Sequence, residues 1–262
     1  KGYLEKLLYI VGSSGAKEIT YVDCFAGPWG DESEDLAGTS IAISLDKIKL
    51  VKEGLASHNT EDTTFRIIYV EAQRKRHKKL KSFLEEKCPA DIEHHALHGD
   101  YAAHQDDILS RCGKGFTFFF IDPKGWADVG MPKLLKLLQR SNSEFLITFM
   151  YDFLNRFLSK DELRERVCQL LGDIDEEWIA NLQSMEPKKR EEKVVRRYRD
   201  QLVSAMGGTQ TNKPRSFHAT ILNKDKNKTI YHMVYLTRHP KGIIEFSRIS
   251  EKVDILQRRI KQ

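Results

Sequence analysis

Ile19-Thr20-Tyr21-Val22-Asp23-Cys24-Phe25-Ala26-Gly27-Pro28-Trp29-Gly30 is the stretch on which the fold turns. Its first half, Ile19–Phe25, is a compact apolar run, which suits a parallel strand buried on both faces. Its second half is a turn with two glycines, Gly27 and Gly30. At the carboxyl end of a first parallel strand, glycine lets backbone come close to a ligand. The G-x-G-x-x-G spacing that receives a pyrophosphate is missing, and an acid, Asp23, stands at the strand end instead. A carboxylate beside a glycine turn suits a ligand with positive charge and no phosphate. An ordinary strand-capping aspartate before a generic turn is the alternative, and this segment alone leaves both open.

Strand and helix patterns alternate on both sides of that stretch. Gly2–Ile10 is predicted as a short helix, with Tyr3, Leu4, Leu7, Leu8 and Val11 on one stripe. After the turn, Thr39 or Ser40 caps a helix over roughly Ile41–Lys52, and 56–64 reads as a loop. Phe65–Glu71 is a second strand and Gln73–Lys87 a basic amphipathic helix. Ile92–Gly99 is a third strand, with a helix near His104–Arg111 behind it. Phe116–Ile121, almost wholly aromatic or β-branched, is the clearest strand. Pro132–Arg140 is predicted helical and Glu144–Tyr151 is the fifth strand.

From Asp152 to about Gly207 three helical patterns follow without a strand, over Leu154–Phe157, Lys160–Leu171 and Glu191–Met206. Strands return at Ser216–Asn223 and Thr229–Thr237, joined by a polar loop that fits a β-hairpin. A last amphipathic helix covers about Ile243–Ile260. The pattern implies an α/β fold: a Rossmann-like, mostly parallel seven-stranded sheet closed by an antiparallel hairpin. It reads as one domain over 1–262, with residues 152–207 a helical insertion between the fifth and sixth strands. That insertion would lie on the carboxyl side of the sheet, where ligands bind.

Composition narrows the class. Of 262 residues, 43 are Lys or Arg and 38 Asp or Glu, a net charge of +5 that permits an anionic partner without demanding one. No apolar run approaches the roughly eighteen residues of a membrane span, and the start at Lys1 shows no signal-peptide pattern. Cys24, Cys88, Cys112 and Cys168 form no C-x-x-C pair, which fits a reduced cytoplasm and argues against a zinc site. No metal-ligand spacing and no nucleophile–histidine pairing is present. His239 reads as a surface turn residue.

Acids recur where the strands end. Glu71 ends the second strand, Gly99-Asp100-Tyr101 the third, and Ile121-Asp122-Pro123-Lys124-Gly125-Trp126 the fourth. Each is compatible with an ordinary strand terminus, but their common register is harder to dismiss. Asp23-x-Phe25-Ala26-Gly27-x-x-Gly30 resembles motif I of class I S-adenosylmethionine (SAM)-dependent methyltransferases, especially those acting on nucleic-acid bases. The resemblance implies that Asp23, Phe25, Ala26, Gly27 and Gly30 surround the methionine end of SAM. It further implies that Glu71 accepts from the ribose hydroxyls and that Asp100, with Tyr101, meets the adenine.

The Asp122-Pro123 stretch resembles the Asp-Pro-Pro-Tyr/Phe motif of methyltransferases that modify exocyclic amino groups. Such a nitrogen is a poor nucleophile because its lone pair is delocalised into the ring. A side-chain acceptor and a backbone carbonyl can hold its two hydrogens and aim it, so positioning and electrostatics supply most of the rate. Asp122 and the Pro123 carbonyl are the candidates for those roles. Two positions depart from the motif: Lys124 replaces the second proline and Gly125 the stacking aromatic. Trp126, one position late, is the candidate replacement, and a core tryptophan beyond a turn is the alternative.

Across nearly its whole length the chain resembles the three-Cys-motif partner family. The resemblance rests on Lys1…Tyr3-Leu4, Asp23-x-Phe25-Ala26-Gly27-Pro28, Ile121-Asp122-Pro123-x-Gly125 and Tyr231-His232-x-Val234-Tyr235-x-Thr237-Arg238-His239-Pro240-Lys241-Gly242. It implies a methyltransferase-like fold met in phage or mobile-element contexts, and a possible protein partner whose cysteines name the family.

Two basic stretches bear on a nucleic-acid partner. Arg74-Lys75-Arg76-His77-Lys78-Lys79 opens a helix and reads as a solvated face. In the insertion, Val194, Val195, Tyr198, Leu202 and Met206 share one side of a helix, leaving Lys189, Lys193, Arg196 and Arg197 on a basic ridge. With Lys124, that ridge is the candidate phosphate-contacting surface, and simple solubility is its alternative. Nucleic-acid binding and base methylation are the leading expectation. A protein or small-molecule methyltransferase and a non-catalytic SAM-binding partner are the rivals.

Overall fold

Strands β1 (Glu18–Asp23), β2 (Thr64–Glu71), β3 (Glu93–His98), β4 (Phe116–Ile121), β5 (Ser143–Phe149), β6 (Arg215–Leu222) and β7 (Thr229–Thr237) form one sheet. Its order is β3-β2-β1-β4-β5-β7-β6. β1 lies parallel to β2 and β4, and β2 parallel to β3, while β7 runs antiparallel to both β5 and β6. This is the Rossmann-like, methyltransferase-type arrangement, mostly parallel and closed by an antiparallel hairpin. The second strand of that hairpin, not the first, takes the place beside β5. The computed structural model describes residues 2–27, 36, 38–57, 63–156, 158, 160–223 and 228–260. Pro28, Trp29 and Gly30 of the opening turn lie outside the described residues, as do most of the predicted loop at 56–64 and most of the hairpin loop.

Composition sorts the strands by position. Every residue of β5 is buried, as is all of β4 but Phe120 and all of β1 but Glu18. Strands covered on both faces tolerate no alternation of polar residues. The two edge strands, β3 and β6, are mostly half-buried and carry His94, His95, Arg215 and His218. Charged and polar residues there deter pairing with another chain.

The chain divides into two compact units. The first comprises Lys1–Asp122 with Asn142–Glu144. In it α1 (Gly2–Ser13), α2 (Ser40–Ala56), α3 (Arg74–Lys87) and α4 (Gln105–Arg111) accompany β1 to β4. Thr39 is the N-cap of α2, its hydroxyl accepting from the Ala42 N–H. A Cβ at Gly115 would lie 2.3 Å from the Glu18 carbonyl oxygen, so β4 can begin this close to β1 only with glycine there. Beneath the carboxyl edge Tyr21 stacks on Phe118, and the Tyr69 hydroxyl is shared between Ser44 and the Ile41 carbonyl of α2.

The second unit comprises Pro123–Ser141 and Phe145–Gln262. It holds α5 (Met131–Leu138), α6 (Tyr151–Asn155), α7 (Arg164–Leu171), α8 (Glu176–Ser184), α9 (Pro187–Met206), α10 (Pro240–Ile260) and the antiparallel strands. Val194, Val195, Tyr198, Leu202 and Met206 are the buried face of α9, as their spacing implies. The unpredicted α8 fills part of the stretch between α7 and α9. Asp175 caps it by accepting from the Trp178 N–H at 2.7 Å, with Glu176 and Glu177 in the favoured first turn.

Arg238 follows β7 and is nearly buried, because its guanidinium completes two helix ends. It donates to the carbonyls of Leu138 at 3.0 Å, Arg140 at 2.9 Å, Ser141 at 3.1 Å and Met206 at 2.6 Å. Leu138 and Met206 are the last residues of α5 and α9, whose terminal carbonyls have no intrahelical donor. A cation there also sits at the favourable end of both helix dipoles. Arg238→Met is therefore expected to destabilise the chain by about 3 kcal/mol in chemical denaturation. Arg238→Lys should recover only a small part, since a single ammonium cannot reach four carbonyls. A Met variant within experimental error of the parent would show that water satisfies these carbonyls equally well.

Candidate functional site

The parallel register aligns the acids at one edge of the first unit. Asp23 is level with Tyr69 on β2 and Phe120 on β4, and Glu71 is level with His98 on β3. Glu71 and Asp122 thus stand two residues beyond that level, and Asp100 two beyond Glu71; Asp23 and Glu71 end their strands, and Asp100 and Asp122 lie just past theirs.

Asp23 is fully buried. Its Oδ1 accepts from the Phe25 N–H at 3.0 Å and its Oδ2 from the Ser40 hydroxyl at 2.7 Å. Burial raises its pKa to about 7. The two hydrogen bonds oppose the rise, and the nearby Asp122 and Glu71 carboxylates add to it. Ser40 opens α2 and was legible only as a capping residue; holding the carboxylate is a second use of the same position. The backbone after β1 is fastened to both neighbours: Cys24 N–H donates to the Phe120 carbonyl and Ala26 N–H to the Val70 carbonyl. Gly27 N–H closes a tight turn onto the Phe25 carbonyl at 2.8 Å.

Glu71 is buried, and its Oε1 accepts from the Gln73 N–H at 2.6 Å. The Glu71 carbonyl in turn accepts from Gly99 N–H, tying the ends of β2 and β3. Gly99 has φ +141°, and a Cβ there would lie 2.7 Å from His104 Nε2, so the turn out of β3 requires glycine. Asp100 is exposed and braces the turn by accepting from Ala102 N–H. Tyr101 is buried against the half-exposed Phe25, with ring centroids 5.2 Å apart. That aromatic pair joins the turns after β1 and β3.

Asp122 is exposed, Pro123 buried and Lys124 exposed. Asp122 ends the first unit and Pro123 begins the second. Trp126 is only 6% exposed, which fits the core alternative rather than an open stacking platform. The basic ridge also needs correction. Arg197 donates to the carbonyls of Leu171 and Asp173 at the end of α7, and the Lys193 ammonium lies over the Trp178 ring. Of the four cations read as facing solvent, only Lys189 and Arg196 are exposed, because the helix end and the tryptophan that recruit the other two cannot be seen from a helical wheel. Among the described residues no group of three His, Cys, Asp or Glu is placed to hold a metal ion, and no helix is long and apolar enough to cross a membrane.

No family model matches the chain, and no curated protein matches it. Solved structures do. Protein LPL1258 from Legionella pneumophila is similar over 99% of this chain and 90% of its own, at 13% identity and a TM-score of 0.51. PKMT2 from Rickettsia typhi is similar over 92% of this chain and 53% of its own, at 9% identity and a TM-score of 0.39. The YcgJ protein from Bacillus subtilis is similar over 90% of this chain and 95% of its own, at 14% identity and a TM-score of 0.34. At 13% identity the likeness to LPL1258 is one of fold.

The buried Asp23 makes stability depend on pH in a definite direction. Its pKa is about 7 when folded and near 3.8 ordinarily, so the folded chain holds the extra proton between those values. This contribution is greatest at low pH and is lost as pH rises towards 7. Asp23→Asn keeps the acceptor for Phe25 N–H but cannot ionise. Its stability relative to the parent should therefore be higher at pH 8 than at pH 5, by on the order of 2 kcal/mol in denaturant melts. An equal difference at both pH values would mean that Asp23 does not titrate in a buried state.

Proposed function

We propose that the chain is a SAM-dependent methyltransferase whose acceptor is an exocyclic amino group on a nucleic-acid base. The observation that carries this reading is the buried, hydrogen-bonded Asp23 at the head of a row of acids on the carboxyl edge of β1 to β4. The donor set fits the cofactor. A carboxylate whose pKa has risen to about 7 regains its charge most readily beside a cation, and SAM carries an ammonium and a sulfonium. When bound, SAM supplies a methyl group on a positively charged sulfur.

Asp23 would meet the amino-acid end of the cofactor, with Phe25, Ala26 and Gly27 around it. Glu71 would accept from the ribose, and Asp100 and Tyr101 would meet the adenine. Asp122 and the Pro123 carbonyl would accept the two amino hydrogens of the target base, holding its nitrogen in a geometry from which the lone pair can attack. A base in a duplex would have to be turned out of its stack first. Lys124, Lys189 and Arg196 remain exposed cations for phosphate contact. The internal use of Lys193 and Arg197 favours the rival reading, a protein or small-molecule acceptor, or a SAM-binding partner protein without turnover. The resemblance to the three-Cys-motif partner family is compatible with either.

Calorimetry with SAM and its demethylated product tests the cofactor. Only ionised Asp23 suits the ligand ammonium, so SAM affinity should rise about tenfold from pH 6 to pH 8, with proton release below pH 7. In Asp23→Asn that dependence should vanish. Failure of either compound to bind would sink the reading. Asp122→Ala should abolish methyl transfer and leave SAM affinity within about twofold; loss of both, or of neither, would remove Asp122 from the chemistry. Binding to single-stranded DNA or RNA should weaken steeply with salt if phosphates are contacted, and flat salt dependence would favour the rival acceptor.

A further inference from the structure

The second unit holds a cavity of about 630 Å³ that the methyl-transfer reading does not use. Its volume falls in the range of small-molecule sites. Its lining comes from four elements: Tyr151 on α6, Glu191 on α9, His218 and Thr220 on β6, and His232 on β7. Tyr151 and His232 are buried and form the floor, whereas Lys188 and Lys228 are exposed and stand at the rim.

The floor is polar and closely ordered. His232 Nδ1 lies 3.1 Å from the Thr220 hydroxyl, and His232 Nε2 lies 2.9 Å from Glu191 Oε1. Burial works against ionisation of Glu191, but its contacts with His232 and Thr229 outweigh it and hold the carboxyl below the usual range. His218 is the matching donor. Arg199 donates to His218 Nδ1 at 3.1 Å, and a guanidinium has no acceptor, so the ring proton sits on Nε2. Burial, the neighbouring His232 and Arg199 push the His218 pKa down to about 4, which keeps that ring neutral. Aromatic faces complete the floor: the His232 ring meets His218 edge-on at 5.2 Å and Tyr151 edge-on at 6.2 Å.

A carboxylate acceptor and a fixed imidazole N–H donor lining one aromatic-walled cavity match a particular ligand edge. That edge carries an amino group next to a ring acceptor. The charge at the floor is that of the Glu191 carboxylate, since Lys228 and Asp152 pair with each other, which disfavours an anion there. We propose that this cavity binds a nucleobase bearing an exocyclic amino group, with Glu191 accepting from the amino hydrogens and His218 donating to the adjacent ring acceptor. Lys188 at the rim would face the phosphate of the same strand. The proposal rests on the nucleic-acid reading for its class of polymer, but on none of the residues assigned to methyl transfer.

Cytidine and uridine test it, because they have the same size and differ at one edge by an amino group against a carbonyl. The full chain is titrated with each, and the side-chain nitrogen signals of His218 and His232 are followed by NMR. Cytidine should shift both signals and bind at least about tenfold more tightly than uridine, whose carbonyl would face the carboxylate. Glu191→Gln should bring the two affinities to within about twofold, and His218→Phe should weaken cytidine. Equal affinities in the parent chain would overturn the proposal without any variant. So would silent histidine signals, or a Gln variant that keeps the parent ratio. SAM calorimetry on the same sample separates the two readings: cytidine binding without SAM binding rejects the cofactor assignment alone, and the converse rejects this cavity alone.

Discussion

A carboxylate without water around it is the constraint that organises the carboxyl edge of this chain. Asp23 ends β1 with no exposure, so its oxygens must find donors within the protein, and they find one on each side. The Phe25 N–H bends the backbone into the glycine turn. The Ser40 hydroxyl fixes where α2 begins, seventeen residues along the chain. Strand end, turn and helix start are thereby set by one side chain, and the cost of its burial is stored as a proton affinity that a cation can relieve.

Cationic residues in the second unit follow a similar logic. Arg238 completes α5 and α9, Arg197 completes α7, and Arg199 fixes the ring proton of His218 while bonding Ser216. Basic residues that look like a nucleic-acid ridge in one dimension are in good part the joinery of a helical layer. Of the cations on α9, Lys188, Lys189 and Arg196 keep an exposed side chain.

What the sequence made legible follows from how local each feature is. Phe116–Ile121 and the fifth strand could be read because central strands are apolar on both faces, and Asp23, Glu71, Asp100 and Asp122 could be placed together because a parallel sheet aligns strand ends. Trp126 could not be resolved between core and surface, since both uses leave the same letter after the same turn. The nine-residue α8 is too short for its apolar positions to repeat over several turns, and its clearest signal, Asp175 before Glu176 and Glu177, is a cap rather than a stripe. Glu191, His218 and His232 were hidden for another reason: they come from three elements, and histidines on β6 and β7 resemble the polar residues that any edge hairpin carries.

Arg238 has a consequence for the order in which the chain acquires structure. Its partners at Leu138, Arg140 and Ser141 lie about a hundred residues upstream, and Met206 lies 32 upstream. Contacts of such separation form late, because the entropy of closing the intervening loop must be overcome first. On a ribosome α5 and α9 emerge well before residue 238, so their last carbonyls stay hydrated until the final hairpin is made. β1 to β4, by contrast, all lie within the first 122 residues and can associate while the rest is still being synthesised. The strands of the acid-lined edge are thus all made before residue 238, whereas the helical unit is locked only once that residue is available.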